Sequence, residues 1–151
     1  MFAEFLQLYP IFFPKGRERM AKKRVFISAD YDNDKNFKNL MVAWDKNDLF
    51  DFSFYDGSVT VPVNSDKAGP IRRVISQKIS SCKRLLCIVG SETHKSDWVT
   101  WEIEMAVALK KKIIAVKTAK GNTAPVSLYG VGAAWALSFT FDSIKKAIDE
   151  T

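Results

Sequence analysis

Short runs of apolar residues alternate along the chain with segments in which apolar residues recur at helical spacing. The alternation begins near residue 24 and is typical of an α/β domain. The runs at residues 85–89 and 113–116 are continuously apolar, which predicts strands covered by helices on both faces. The predicted strands are residues 25–28, 52–55, 85–89, 113–116 and a last one around 136–139.

Between these strands, apolar residues recur three and four positions apart, as they do on the buried face of a helix. Pro70 is expected in the first turn of the second helix, and Asp142 at the N-cap of the last. Five strands with intervening helices predict a flavodoxin-like three-layer sandwich, in which a five-stranded parallel sheet carries helices on both faces. The predicted helices cover residues 37–44, 70–79, 97–109 and 142–148.

The chain has 151 residues, the size of one domain with its own core. Residues 1–22 are interpreted as an N-terminal extension of a domain at residues 23–151. Three interpretations of the extension remain open: an upstream translation start, an expression remnant and a short docking segment. No stretch reaches the ~18 to 20 apolar residues of a membrane span, and the first thirteen residues lack the features of a signal peptide. We therefore predict a cytoplasmic protein without a membrane span.

The formal net charge of +6 would suit a polyanionic partner, but the basic residues are scattered. The densest internal run, at residues 110–112, is expected to end a helix, where cations offset the helix dipole. Aromatic residues are not interleaved with it as they are in base-stacking surfaces, so no nucleic-acid partner is predicted. Cys82 and Cys87 are expected to be reduced, packed thiols. With His94 the single histidine, no metal site is predicted.

Polar side chains follow the first three predicted strands, where ligands of such sheets bind. Asp32 to Asp34 are expected instead to cap the first helix. For His94, a hydrogen-bonding role in a pocket and an ordinary loop position stay equally open. The candidate substrate-binding residues are Ser28, Asp30 and Tyr31 after the first strand, Asp56 after the second and His94 after the third.

Glu102 is the residue that the helical pattern singles out. It shares a stripe with Trp98, Met105 and Leu109, whereas Glu104 falls on the polar side of the same helix. An acid on an apolar stripe is costly unless it is partnered or faces a cleft. Because Glu102 lies one turn into the helix, at the crevice end of the sheet, the pattern favours a cleft. The alternative is an acid at the margin of the stripe that curls into water.

Residues 96–103, Ser-Asp-Trp-Val-Thr-Trp-Glu-Ile, resemble the Ser-x-Trp-x-x-x-Glu-Leu segment of TIR domains. Residues 25–31 are similar to the TIR first strand and the loop after it. The stretch 23–150 resembles the bacterial and archaeal TIR-like family that includes the TIR subunit of Thoeris anti-phage systems. The resemblance implies a flavodoxin-like fold, and it places the catalytic glutamate of the enzymatic members on Glu102. Val99 stands where many TIR domains carry cysteine.

The function that the resemblance implies is cleavage of NAD at the nicotinamide N-glycosidic bond, which some members follow by cyclising the ADP-ribose into a signal nucleotide. NAD would be the substrate, with no separate cofactor, and Trp98 would wall its pocket and stack on an aromatic ring. We therefore expect an NAD glycohydrolase or ADP-ribosyl cyclase of anti-phage defence, activated by infection or by assembly into a homo-oligomer. Its partner would be a separate effector protein that senses the nucleotide product.

Parts of the same pattern occur in other classes of protein. A non-catalytic TIR-type interaction module is the main alternative, with the same helix and loops binding another TIR domain. A phosphoacceptor receiver domain requires an aspartate at the end of the third strand, where this chain has Val89 and Gly90. The glycine-rich residues 130–135 follow no clear strand, and they predict a turn before the last strand rather than a dinucleotide-binding loop.

Overall fold

The computed structural model describes residues 22–44, 49–55 and 59–151. Within these ranges, five strands form one parallel sheet in the order β2-β1-β3-β4-β5. This order confirms the predicted flavodoxin-like α/β fold. The strands are β1 (Lys23–Ser28), β2 (Phe50–Ser53), β3 (Arg84–Val89), β4 (Lys112–Lys117) and β5 (Ala134–Trp135).

Helices cover both faces of the sheet. Ile75 and Ile79 of α2 and Ile103 of α3 pack on one face, whereas Met41 of α1 and Ile144 of α4 pack on the other. The three predicted layers are therefore confirmed. The helices are α1 (Tyr31–Trp44), α2 (Gly69–Ser80), α3 (Asp97–Ala108) and α4 (Phe141–Asp149), with short 3-10 helices at Asp66–Ala68, Thr93–Lys95 and Val126–Leu128.

The apolar runs of the central strands are continuous because successive side chains enter opposite layers. In β3, Leu85 and Cys87 join the cluster under α2 and α3, while Leu86 and Ile88 join the cluster under α1 and α4. In β1, Phe26 lies on the α2–α3 side. Since strand side chains alternate, the last residue of β1, Ser28, points to that same side, where α3 begins.

Some boundaries differ from those predicted. The second strand lies at 50–53 rather than 52–55, and the last is the two-residue β5 rather than 136–139. The Ala136 N–H still donates to the Ala115 carbonyl oxygen of β4, but Leu137 is 91% exposed, so the chain leaves the sheet there. The N-cap of α4 is Thr140, whose side chain accepts a hydrogen bond from the Ser143 N–H. Asp142 therefore lies in the first turn instead of capping it.

Other local expectations are confirmed. Pro70 lies in the first turn of α2, and Gly130 and Gly132 have positive φ in the turn before β5. Cys82 and Cys87 are buried free thiols, and burial raises the pKa of both. Across the described ranges, every helix is too short or too polar to cross a membrane. The domain boundary at residue 22 stays a prediction.

Candidate active site

A cleft of about 220 Å³ opens beyond the carboxyl ends of β1 and β2. Its walls come from the loop after β1, the segment after β2, and the first turns of α3. This is the edge of the sheet where strand topology predicts ligand binding. Asp30, Tyr31, Trp98 and Glu102 line the cleft together, although they are separated by up to 72 residues of sequence.

Glu102 is the buried acid of this cleft, with only 6% of its surface exposed. The Ser28 hydroxyl donates a hydrogen bond of 2.6 Å to Oε1. The other oxygen, Oε2, has no hydrogen-bond partner among the described residues. Among the described residues, the Ser127 hydroxyl is the only side-chain oxygen or nitrogen that is fully buried without a hydrogen-bond partner. Oε2 of Glu102 is therefore not fully buried. One oxygen of Glu102 is therefore anchored, and the other faces the cleft.

Burial raises the pKa of Glu102 to about 8, against the smaller lowering effect of the Ser28 hydrogen bond. In the free protein at neutral pH the side chain is mainly protonated. A cationic ligand placed beside it would favour the ionised form, since an opposite charge nearby lowers the pKa of a carboxyl group. Glu104, two residues along α3, is exposed, as its place on the polar side predicted.

The first turn of α3 positions Trp98. Ser96 caps the helix, its hydroxyl oxygen accepting a hydrogen bond from the Val99 N–H at 3.2 Å. The Trp98 indole N–H donates to the Val61 carbonyl oxygen at 3.0 Å. Trp101 contacts the same ring edge to face, with centroids 5.8 Å apart. These contacts hold the Trp98 indole as a fixed wall, one helical turn from Glu102.

The opposite wall follows β1 directly. The Tyr31 hydroxyl donates to the Ile27 carbonyl oxygen at 2.7 Å, and the Phe54 ring packs edge to face against Tyr31. The Asp30 carbonyl accepts hydrogen bonds from the backbone N–H groups of Asn33 and Asp34. The loop thus has a defined shape that places the Asp30 and Tyr31 side chains at the cleft.

Asp34 does not cap α1 as predicted. It lies inside the helix at a point of non-helical backbone (φ −116°, ψ 21°) and is only 4% exposed. The Thr93 hydroxyl contacts its Oδ2 at 3.2 Å and accepts a hydrogen bond from the Gly90 N–H at 2.8 Å. Burial raises the pKa of Asp34, and the negative charge of Asp30 adds to the effect. Asp34 therefore links the first turn of α1 to the segment after β3.

The predicted site residues are only partly brought together. Ser28 lies beneath the cleft as the partner of Glu102, but His94 is exposed in a 3-10 helix and is not a lining residue. Asp56 lies outside the described residues. Tyr55 and Thr60 line the cleft without having been predicted, although the strand-end rule that selected Asp56 covers their segment as well.

The rest of the lining is also informative. Asp32, which was expected to cap α1, lies in its first turn and lines the cleft. Within the described part of the chain, no group of three His, Cys, Asp or Glu residues is arranged to hold a metal ion. The site consists of carboxyl groups, aromatic rings and hydroxyls.

The doubly wound sheet makes this a flavodoxin-like α/β domain, with a buried acid one turn into α3. The family model described as "Thoeris protein ThsB, TIR-like domain" matches residues 26–123. The chain belongs to this family. A comparison with curated proteins found no significant match.

Solved structures share the fold at low sequence identity. The CMP N-glycosidase BcmB of Clostridium botulinum is 19% identical with a TM-score of 0.54, over 85% of this chain and 96% of that one. A 2-desoxiribosyltransferase from Leishmania mexicana is 18% identical with a TM-score of 0.56, over 85% and 97%. A 2-deoxyribosyltransferase from Bacillus psychrosaccharolyticus is 11% identical with a TM-score of 0.56, over 80% and 95%. These similarities establish the architecture.

Proposed function

We propose that this protein cleaves NAD at the bond between nicotinamide and ribose and converts the remaining ADP-ribose portion into a cyclic signal nucleotide of anti-phage defence. The observation that carries the proposal is Glu102, a buried carboxyl group with one oxygen anchored by Ser28 and the other open to the cleft. Membership of the Thoeris family supports the role in defence.

The chemistry suits a single carboxylate. When the bond between ribose C1′ and the pyridinium nitrogen breaks, its electron pair passes to the ring, and nicotinamide leaves as a neutral molecule without needing a proton. The ribose develops positive charge, which an ionised Glu102 stabilises as carboxylates do in glycosidases. Addition of water then gives ADP-ribose and a proton. Attack by an atom of the adenosine part instead gives a cyclic product and releases a proton.

The walls of the cleft have complementary roles. Trp98, held by Val61, offers a fixed aromatic surface on which a nicotinamide ring stacks. Asp30 and Tyr31 lie where contacts to the ribose or the base are expected. The names of the similar structures, a CMP N-glycosidase and two deoxyribosyltransferases, describe reactions of nucleosides and nucleotides on this architecture, which supports glycosyl chemistry in this cleft.

The proposed product acts outside this domain. A cyclic nucleotide is a diffusible signal, so we place its target in a separate nucleotide-sensing effector protein. Activation by infection, through assembly of a homo-oligomer, belongs to the same proposal.

The test is mass-resolved analysis of NAD products. Wild-type protein and Glu102→Gln are each isolated from uninfected and phage-infected cells and incubated with NAD. We expect nicotinamide and a product one water lighter than ADP-ribose from activated wild type only. ADP-ribose alone would contradict cyclisation but support cleavage. Intact NAD after activation would contradict the enzyme and favour a TIR-type interaction module.

The pH dependence of the reaction follows from the raised pKa of Glu102. The ratio kcat/KM reports ionisations of the free enzyme, in which Glu102 loses its proton at about pH 8. Because the ionised form is the active one, kcat/KM for NAD is expected to rise about tenfold per pH unit below that value and to level off above it. Initial rates between about pH 5.5 and 9.5 measure the profile. A flat profile would remove Glu102 from this role.

Ser28 provides the matched variant for that profile. Its hydrogen bond to Glu102 lowers the pKa, so Ser28→Ala is expected to move the midpoint of the profile to higher pH. Ser91→Ala, at an exposed position after β3, should leave the midpoint unchanged. A shift in both variants would assign the effect to something other than this hydrogen bond.

A further inference from the structure

The lining of the cleft is acidic and aromatic. Among the described residues that form it, none is Lys, Arg or His. The side chains that give the lining its character are Asp30, Asp32 and Glu102, with the rings of Tyr31, Tyr55 and Trp98.

The lining of the cleft is acidic although the chain as a whole is basic, with a formal net charge of +6. The basic side chains therefore lie outside the described lining. Sites that hold phosphate use Arg, Lys or free N–H groups at a helix start. At the start of α3, the Ser96 hydroxyl already accepts the Val99 N–H, and Asp97 occupies the first turn. The described lining therefore suits a cation better than a phosphate.

The size of the cleft indicates which part of a dinucleotide enters it. Pockets that enclose a drug-sized ligand measure roughly 300 to 1,000 Å³, and this cleft measures about 220 Å³. A cleft of this size matches one end of a dinucleotide rather than the whole molecule. The nicotinamide ring of NAD carries a positive charge, and the rest of the molecule is neutral or negative.

We propose that the cleft selects its ligand by the positive charge of the nicotinamide ring, taking the oxidised nicotinamide riboside end of a dinucleotide and rejecting the neutral reduced ring. Asp30 and Asp32, the more exposed acids of the lining, supply the attraction in the free protein. Glu102 adds to it once the cation beside it favours the ionised form, and Trp98 supplies the surface for stacking. The inference rests on the proposed function, which brings NAD to this cleft. It adds a basis for discriminating between the two redox forms of the same dinucleotide.

NAD and NADH provide the direct comparison, because they are nearly equal in size and differ in the charge of the nicotinamide ring. Binding is measured by calorimetry in the Glu102→Gln background, so that NAD is not consumed. With Asp30 half-buried and Asp32 exposed, the attraction of each for the ring is modest. Together they are expected to make NAD bind about tenfold more tightly than NADH at low ionic strength.

Variants test whether Asp30 and Asp32, and not the overall charge of the protein, cause the preference for NAD. Adding Asp30→Asn and Asp32→Asn should reduce the preference to about twofold or less, and added salt should weaken it by screening. Asp142→Asn, at an exposed acid in α4, is the matched control and should preserve the preference. Equal affinity for NAD and NADH before Asp30 and Asp32 are changed would overturn the inference.

The outcomes also separate this inference from the proposed function. Preferential binding of NAD by a protein that never cleaves it would support charge selection and contradict the enzyme. Cleavage of NAD by wild type, with NADH bound equally well by Glu102→Gln, would support the enzyme and overturn charge selection. Binding of neither dinucleotide would overturn the inference.

Discussion

Replacement of Glu102 by glutamine is expected to lower the rate of NAD cleavage at least about 100-fold, the usual cost of removing an electrostatic stabiliser of a transition state. Glutamine is close to glutamate in size and still accepts the hydrogen bond from Ser28. The cleft therefore keeps its shape and loses only the negative charge beside the ribose. Steady-state release of nicotinamide by activated protein measures the effect.

Glu104→Gln is the matched control. It makes the same chemical change two residues along α3, at an exposed position, so the rate should stay at the wild-type value. Equal losses in both variants would indicate damage to α3 rather than loss of a catalytic carboxylate. A fully active Glu102→Gln would remove Glu102 from the mechanism.

The pH dependence of thermal stability tests the raised pKa of Glu102 without a measurement of catalysis. Burial raises the pKa of Glu102 from 4.5 to about 8 in the folded state. The stability associated with its protonated form is thus fully present below about pH 4.5 and is lost as the pH rises through about 8. Because glutamine does not ionise, Glu102→Gln should be more stable than wild type at about pH 9, by on the order of a few kcal/mol in the free energy of unfolding. Its melting temperature should be correspondingly higher. Near pH 4 this pH-dependent advantage should vanish.

Gly90→Ala is expected to be the most destabilising small substitution at the carboxyl edge of the sheet. A Cβ at this position would overlap the carboxyl group of Asp34, which is buried and contacts Thr93. Overpacking together with the disturbed hydrogen bond should cost about 2 to 4 kcal/mol in the free energy of unfolding. Denaturant unfolding measures the loss, and the melting temperature should fall by about 5 to 15 °C.

Two comparisons identify the cause of that loss. Gly121→Ala adds the same methyl group where nothing lies within 4 Å, and it should change stability by less than about 0.5 kcal/mol. Asp34→Ala removes the obstacle, so the double variant Gly90→Ala/Asp34→Ala should be more stable than the sum of the single effects predicts. Strict additivity would show that the carboxyl group of Asp34 is not the clashing group.

Local pattern was sufficient to predict the architecture and part of the site. The spacing of Trp98 and Glu102 placed an acid on an apolar stripe, and strand-end topology selected Asp30 and Tyr31. Both signals depend on residues close together in sequence or on a general rule for parallel sheets. They led to four side chains that line one cleft.

Contacts between distant segments could not be predicted in the same way. Asp34 reads as a capping residue because it follows two other polar residues near a helix start, yet its partner Thr93 lies 59 positions away. The last strand was misplaced because residues 136–139 have an apolar pattern, while the hydroxyls that follow turn the chain to begin α4. For Asp34 a contact between distant segments, and for the last strand the side-chain hydrogen bonds at the start of the next helix, decided between local alternatives of similar quality.

The two buried thiols have a practical consequence for spectroscopy. Cys82 and Cys87 are the only cysteines of the chain, and a raised pKa leaves each with little of the thiolate that reacts with maleimides. A cysteine introduced at an exposed position such as Glu104 would therefore be modified selectively in the folded protein. A dye there would allow self-association to be followed by energy transfer between labelled copies, without first removing the native cysteines.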